Sequence, residues 1–178
     1  LDGGTVRTIE GPLYVAGAPE EKGFARLDDG TDIDNGTVLF MQGTVYGENG
    51  KPLPNAKVEV WHANSLGNYS FFDESQSHFN LRRSIITDEN GNYAFRSIVP
   101  LGYSVPPEGM TQKVLGALGR HGHRPAHIHF FASADGHRKL TTQINIDGDE
   151  YLWDDFAFVK DIDQAVQGSE VERRRAQG

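Results

Sequence analysis

The chain has no cysteine. Disulfides, thiolate metal ligands and cysteine nucleophiles are therefore excluded, and any bound metal has to take nitrogen or oxygen donors. No apolar run reaches membrane-spanning length, which excludes a membrane partner read as a spanning helix. Positive charge is also scarce: 17 Lys and Arg stand against 25 Asp and Glu, a net charge of −8. That balance argues against nucleic acid as a partner, because phosphate neutralisation needs a basic surface. The one dense basic run, Arg173-Arg174-Arg175, reads as part of a solvated tail. Turn chemistry is what the chain has in quantity. With 21 glycines and 8 prolines in 178 residues, 37% hydrophobic and 24% charged, it has the composition of a turn-rich globular protein with one core. No secretory signal is visible, and a cytoplasmic location is the default expectation.

Residues 1–36, rich in Gly, Asp and Pro, read as an extended arm with turns. From Thr37 the pattern becomes β-rich: Val38, Phe40, Gln42 and Val45, then Val58, Val60 and Trp61, then Tyr93 and Phe95, then residues 126–132 and 140–146. Turns are expected at 48–51 and 134–137. The run Asp88-Glu89-Asn90-Gly91-Asn92 predicts a type I′ hairpin. One short helix is expected where Thr111 caps a segment with Val114, Leu115 and Leu118 on one face. Short strands with frequent turns favour a mostly β fold, a β-sandwich or small barrel, with one short helix and long loops. The sandwich is expected as a single domain over residues 1–178, ending in a polar tail at 160–178.

Four of the seven histidines, His121, His123, His127 and His129, fall in residues 119–131. If the end of this run is a strand, His127 and His129 point to one face, flanked by apolar Ile128 and Phe130. Two imidazoles on one face make half of a metal site. They are equally well read as solvent-facing side chains of an edge strand. Tyrosinate is a suitable partner for two imidazoles on a hard trivalent iron. Tyr69 and Tyr103 both lie in loops just off a strand, where a scaffold presents functional side chains. Spacing alone does not select these two from the six tyrosines.

Three runs carry a resemblance: Trp61-His62-Ala63-Asn64, Phe79-Asn80-Leu81-Arg82-Arg83-Ser84-Ile85-Ile86-Thr87-Asp88, and Gly119-Arg120-His121-Gly122-His123-Arg124-Pro125-Ala126-His127-Ile128-His129. They resemble the intradiol ring-cleavage dioxygenases. Arg7-Thr8-Ile9-Glu10-Gly11-Pro12-Leu13-Tyr14, Leu140-Thr141-Thr142-Gln143-Ile144-Asn145 and Tyr151-Leu152-Trp153-Asp154-Asp155-Phe156-Ala157 extend the match toward the branch acting on catechol. The resemblance implies a mononuclear non-haem Fe(III) held by Tyr69, Tyr103, His127 and His129. The implied reaction is cleavage of catechol by O₂ between its two hydroxylated carbons, giving cis,cis-muconate. Tyr103 would leave the metal as catechol binds and take one of its protons. Arg124 would stabilise negative charge developing on the ring, and Gln143 would hydrogen-bond a substrate oxygen. Ile9, Gly11, Pro12, Phe156 and Ala157 would line the pocket around the ring. His62, His78, His121, His123 and His137 are given no metal role and are expected to be hydrogen-bonded or exposed.

Members of this family usually carry a further helical N-terminal region that builds a homodimer interface, so the full-length protein is expected to be a homodimer. This region and a closing C-terminal strand are expected to be absent here. Two other readings remain: a hydroxyquinol or chlorocatechol 1,2-dioxygenase with the same ligands, against which Ile9, Pro12 and Ala157 tilt, and a transthyretin-like β-sandwich that only binds sugar or protein.

Overall fold

The computed structural model describes residues 4–31, 36–104, 113, 117 and 123–146. The strands in them are β1 (Glu20–Lys22), β2 (Phe24–Arg26), β3 (Val38–Thr44), β4 (Lys57–His62), β5 (Arg82–Ile86), β6 (Asn92–Ile98), β7 (Tyr103–Ser104), β8 (His123–Arg124), β9 (His127–Ser133) and β10 (Leu140–Asn145). They form a five-stranded sheet in the order β1-β5-β4-β9-β10, a three-stranded sheet β2-β6-β3, and the short pair β7-β8.

Strand periodicity sorts the side chains between two faces of the large sheet. Val58 and Val60 of β4, Ile85 of β5, and Ile128 and Phe130 of β9 point inward. There they pack against Ala25, Leu39 and Phe95 of the smaller sheet. Phe95 and Phe130 meet across the interface with ring centroids 6.2 Å apart. The fold is thus a β-sandwich, as expected, and not a barrel. The opposite face carries another buried cluster, Trp61, Ala63, Tyr69 and Phe131, against which Leu13 and Tyr14 of the N-terminal arm pack. Both faces of the central strands β4 and β9 are therefore covered.

Within residues 4–31 the expected arm with turns carries two short strands. β1 pairs in parallel with β5, Gly23 turns the chain at φ 74°, and β2 then pairs in parallel with β6. The two short strands belong to different sheets and close one edge of the sandwich. The expected hairpin at 88–92 is not one. β5 before the turn lies in the large sheet and β6 after it in the small one. Nor is the turn type I′, which needs positive φ at both central residues. Only Gly91 (φ 75°) has it, while the Asp88 carboxylate accepts from the Asn90 and Asn92 amides. The expected helix at 111–118 lies outside the described residues apart from Lys113 and Ala117, both in helical backbone. The expected polar tail at 160–178 lies outside them too. No described helix is long and apolar enough to cross a membrane.

His62 ties the sheets together. It is 1% exposed. Its Nδ1–H donates to the Ala63 carbonyl at 2.6 Å, so Nε2 accepts from Ser97 Oγ of β6, also at 2.6 Å. Burial, partly opposed by the Ala63 carbonyl, lowers its pKa from 6.5 to about 4. The folded chain keeps His62 neutral where the unfolded chain protonates it. Its contribution is complete above pH 6.5 and is lost as pH falls toward 4, a total of about 3 kcal/mol at ~1.4 kcal/mol per pKa unit. Urea midpoints of the metal-free chain between pH 7.5 and 4.5 should fall steeply, and His62→Gln should flatten that slope. Parallel slopes in variant and parent would contradict this account.

Candidate metal centre

β9 lies between β4 and β10, so His127 and His129 are not on an edge strand. They are 2% and 4% exposed, which removes the solvent-facing reading. Register places His129 directly between Trp61 of β4 and Gln143 of β10, with His127 opposite Asn145. His127 Nδ1–H donates to the Pro125 carbonyl at 2.7 Å. A carbonyl can only accept, so the proton sits on Nδ1 and the Nε2 lone pair turns into the site. There it meets Arg124 Nη1 at 3.2 Å and His129 Nε2 at 2.9 Å. Burial foremost, then the neighbouring His127 and Arg124, holds His129 well below the ordinary histidine pKa. The imidazole is thereby kept neutral, the state that can donate to a metal.

Two imidazole nitrogens at ~2.1 Å from one metal and at right angles to each other lie ~3.0 Å apart. The 2.9 Å separation found here fits that requirement. No trio of His, Cys, Asp or Glu converges among the described residues; the resemblance implies tyrosine as the further donor. Tyr69 is 5% exposed, and its ring lies 6.5 Å from that of His129. The chemistry of this donor set, neutral nitrogen and phenolic oxygen without thiolate, suits a hard metal such as ferric iron.

The loop bearing Tyr69 joins β4 to β5 and is held at several points. The Asn64 side chain accepts from the Leu66 and Asn68 amides, and Ser70 Oγ donates to the Asn80 carbonyl. Two non-glycine residues, Phe71 (φ 73°) and Leu81 (φ 59°), adopt left-handed backbone, costing on the order of 1 kcal/mol or more each. Arg82, 1% exposed, spans the loop and the arm. Nε donates to Ser70 Oγ (3.0 Å), Nη2 to the Ser70 carbonyl (3.0 Å) and Nη1 to the Leu13 carbonyl (2.8 Å). Its guanidinium carbon sits 5.8 Å from the centre of the Tyr69 ring. Burial lowers the Arg82 pKa to about 10, with Tyr69 opposing.

Tyr103 is placed by its backbone. In β7 it lies opposite Arg124 of β8, and Leu101 N donates to the Asn64 carbonyl, tying the Tyr103 segment to the base of the Tyr69 loop. Arg124 is 4% exposed, and its Nη2 donates to Gln143 Oε1 at 3.3 Å; Gln143 Nε2 in turn donates to Asn145 Oδ1 at 2.9 Å. Arg124, Gln143, His127 and His129 thus form one buried group. Of the residues expected around the ring, Gly11 comes close: a Cβ built on it would lie 3.9 Å from His129 Cε1, and its φ of 74° is one that glycine adopts without strain. Ile9 and Pro12 are exposed on the same arm, which is pinned by Thr8 N to the Thr141 carbonyl and by Thr142 Oγ1 to the Val6 carbonyl. Phe156 and Ala157 lie outside the described residues.

The family model for the dioxygenase domain matches residues 9–174. Catechol 1,2-dioxygenase 2 of Acinetobacter lwoffii is 69% identical over 175 residues, covering 97% of this chain and 63% of that protein. The chain belongs to the catechol 1,2-dioxygenase family. The crystal structure of wild-type catechol 1,2-dioxygenase from Acinetobacter radioresistens superposes with a TM-score of 0.90 at 63% identity, over 93% of this chain and 53% of that one. Chlorocatechol 1,2-dioxygenase of Rhodococcus opacus is 39% identical over 83% of this chain and 58% of that protein. The chain spans roughly half to two thirds of the length of these relatives. The family is an iron-dependent one in general.

Three residues of this family member's site escaped the sequence reading: Trp61, Arg82 and Asn145. Each sits inside a run that was singled out, but only cross-strand register and the fold of the arm give it a role. Arg82→Lys keeps the charge but reaches at most one of the three acceptors. Losing two charge-assisted hydrogen bonds at about 1.5 kcal/mol or more each should cost roughly 3 kcal/mol. Limited proteolysis should then cut first in residues 5–14 and 64–80. Unaltered denaturation and cleavage would show that the clamp is redundant.

Proposed function

We propose that this chain performs intradiol cleavage of catechol by O₂ to cis,cis-muconate, at a mononuclear non-haem Fe(III) held by Tyr69, Tyr103, His127 and His129. The observation that carries the reading is the buried approach of His127 Nε2 to His129 Nε2 at 2.9 Å, with the tautomer of His127 set by Pro125. When bound, ferric iron supplies Lewis-acid activation of the catecholate toward O₂. His127 and His129 serve as neutral donors. Tyr69 and Tyr103 supply anionic oxygen, and Tyr103 takes a catechol proton at its phenolate oxygen. Arg124 holds a fixed cation beside the reacting ring. Gln143 aligns its guanidinium and is itself aligned by Asn145. A preorganised positive charge of this kind acts where negative charge develops and is worth ~3 kcal/mol in a water-excluded site. The N-terminal arm at Ile9, Gly11 and Pro12, with Phe156 and Ala157, forms the wall against the ring.

Catechol is favoured over chlorocatechol or hydroxyquinol by the 69% identity to a catechol enzyme against 39% to a chlorocatechol enzyme. A β-sandwich that merely binds sugar or protein has no use for two neutral buried imidazoles aimed at each other. The homodimer and the cytoplasmic location belong to the whole protein and are proposed with its activity.

The visible spectrum of the purified chain is the test. Added Fe(III) should give a tyrosinate charge-transfer band that Tyr69→Phe weakens or shifts, and anaerobic catechol should add a band at longer wavelength. A colourless protein that ignores both would overturn the reading. Arg124→Met should retain the iron colour while kcat falls by a factor of ~100 or more. Wild-type turnover in that variant would dismiss the charge-stabilising role.

A further inference from the structure

The two histidines are held in different ways. His127 has the usual arrangement for a metal-binding imidazole, its far N–H bonded to a backbone carbonyl at 2.7 Å. His129 Nδ1 is buried and has no hydrogen-bond partner among the described residues. What its ring has instead is a parallel neighbour. The Trp61 indole lies 4.8 Å away, centroid to centroid, with only 4° between the planes. This is a direct cross-strand pair, Trp61 on β4 facing His129 on β9.

Trp61 is itself fixed from behind. The Phe131 and Tyr14 rings stand edge-on to it at 4.7 and 5.2 Å, both at 63°. Tyr14 in turn donates its hydroxyl proton to Glu59 Oε1 at 2.7 Å. The indole N–H is buried with no hydrogen-bond partner among the described residues, so what these residues supply to hold the ring is packing. A chain of contacts therefore runs from Glu59 through Tyr14 and Trp61 to the plane of His129. The indole can slide or spin only at the expense of that packing.

We propose that Trp61 is the positioning residue for His129. Its indole face sets the imidazole plane and so aims Nε2 at the metal, as the Pro125 carbonyl does for His127 through a hydrogen bond. This inference rests on the metal-site reading above, and its test separates the two.

The full chain and its Trp61→Phe and Trp61→Leu variants are to be compared for iron(III) affinity by chelator competition, for the ferric EPR line shape, and for urea stability. Both substitutions remove core volume, so both should lose stability. Only Trp61→Leu, which has no flat face, should lose iron affinity, by ~10- to 100-fold as for other residues that orient metal-binding imidazoles. Its EPR signal should broaden as well, while Trp61→Phe should stay close to wild type in both. Unchanged affinity and line shape in a folded Trp61→Leu, or equal loss in both variants, overturns the inference. Should Trp61→Leu fail to fold, the unmutated sequence answers through 5-fluorotryptophan. The chain has two tryptophans, and Trp153→Phe assigns them. Gallium(III), diamagnetic and of the same charge, should move the Trp61 fluorine resonance. An unmoved resonance in a chain that binds gallium overturns the inference. A wild-type chain that binds neither ion removes the metal-site reading, and this inference with it.

Discussion

The register of β9 between β4 and β10 is the constraint on which the centre depends. Ile128 and Phe130 must face the core against Leu39 and Phe95, and strand geometry then leaves His127 and His129 no choice but the opposite face. A slip by one residue would turn the imidazoles into the core and move Ile128 and Phe130 to the histidine face. Hydrophobic burial thus enforces the aim of the two imidazoles. The same register lines up Trp61, His129 and Gln143 across three strands, so orientation and chemistry are specified by one pairing pattern.

Charge adds to this frame. The chain as a whole is acidic, at −8, yet the corner around the histidines is cationic, with Arg82 and Arg124 both buried. Among the described residues Arg82 donates only to neutral oxygens of Ser70 and Leu13. A buried guanidinium beside uncharged imidazoles makes a place where anions are welcome. Under the proposed function, phenolates and a deprotonated catechol would be the anions stabilised there. Local potential and net charge run in opposite directions here, and the local one governs the chemistry.

Much of the sandwich could be read from alternation alone. The strands around Val38–Thr44, Lys57–His62 and His127–Ser133 show period-two patterns, and both the turn near Gly50 and the one near Gly136 announce themselves. The edge-strand alternative for the histidines failed because strand order is not a local property. Asp88 to Asn92 misled for a related reason: turn residues report that the chain reverses, not which sheet it enters next. β1 and β2 carry too little hydrophobic pattern, Glu20-Glu21-Lys22 in one case, to be seen without their partners. Tyr69 was singled out by family likeness, since nothing in its spacing separates it from Tyr93 or Tyr46. Trp61 and Asn145 needed the register itself.

The pairing of β1 and β2 with strands far along the chain bears on the order of assembly. Parallel pairing to β5 and β6 cannot begin until those strands exist, and closing such long loops is entropically slow. The segment before β1, which lays Gly11, Leu13 and Tyr14 over the histidine face, is anchored through that long-range pairing and through Arg82. The histidine strand β9 is made later still and pairs with β4 over a comparable separation, so the histidine face cannot form until most of the described chain has been synthesised.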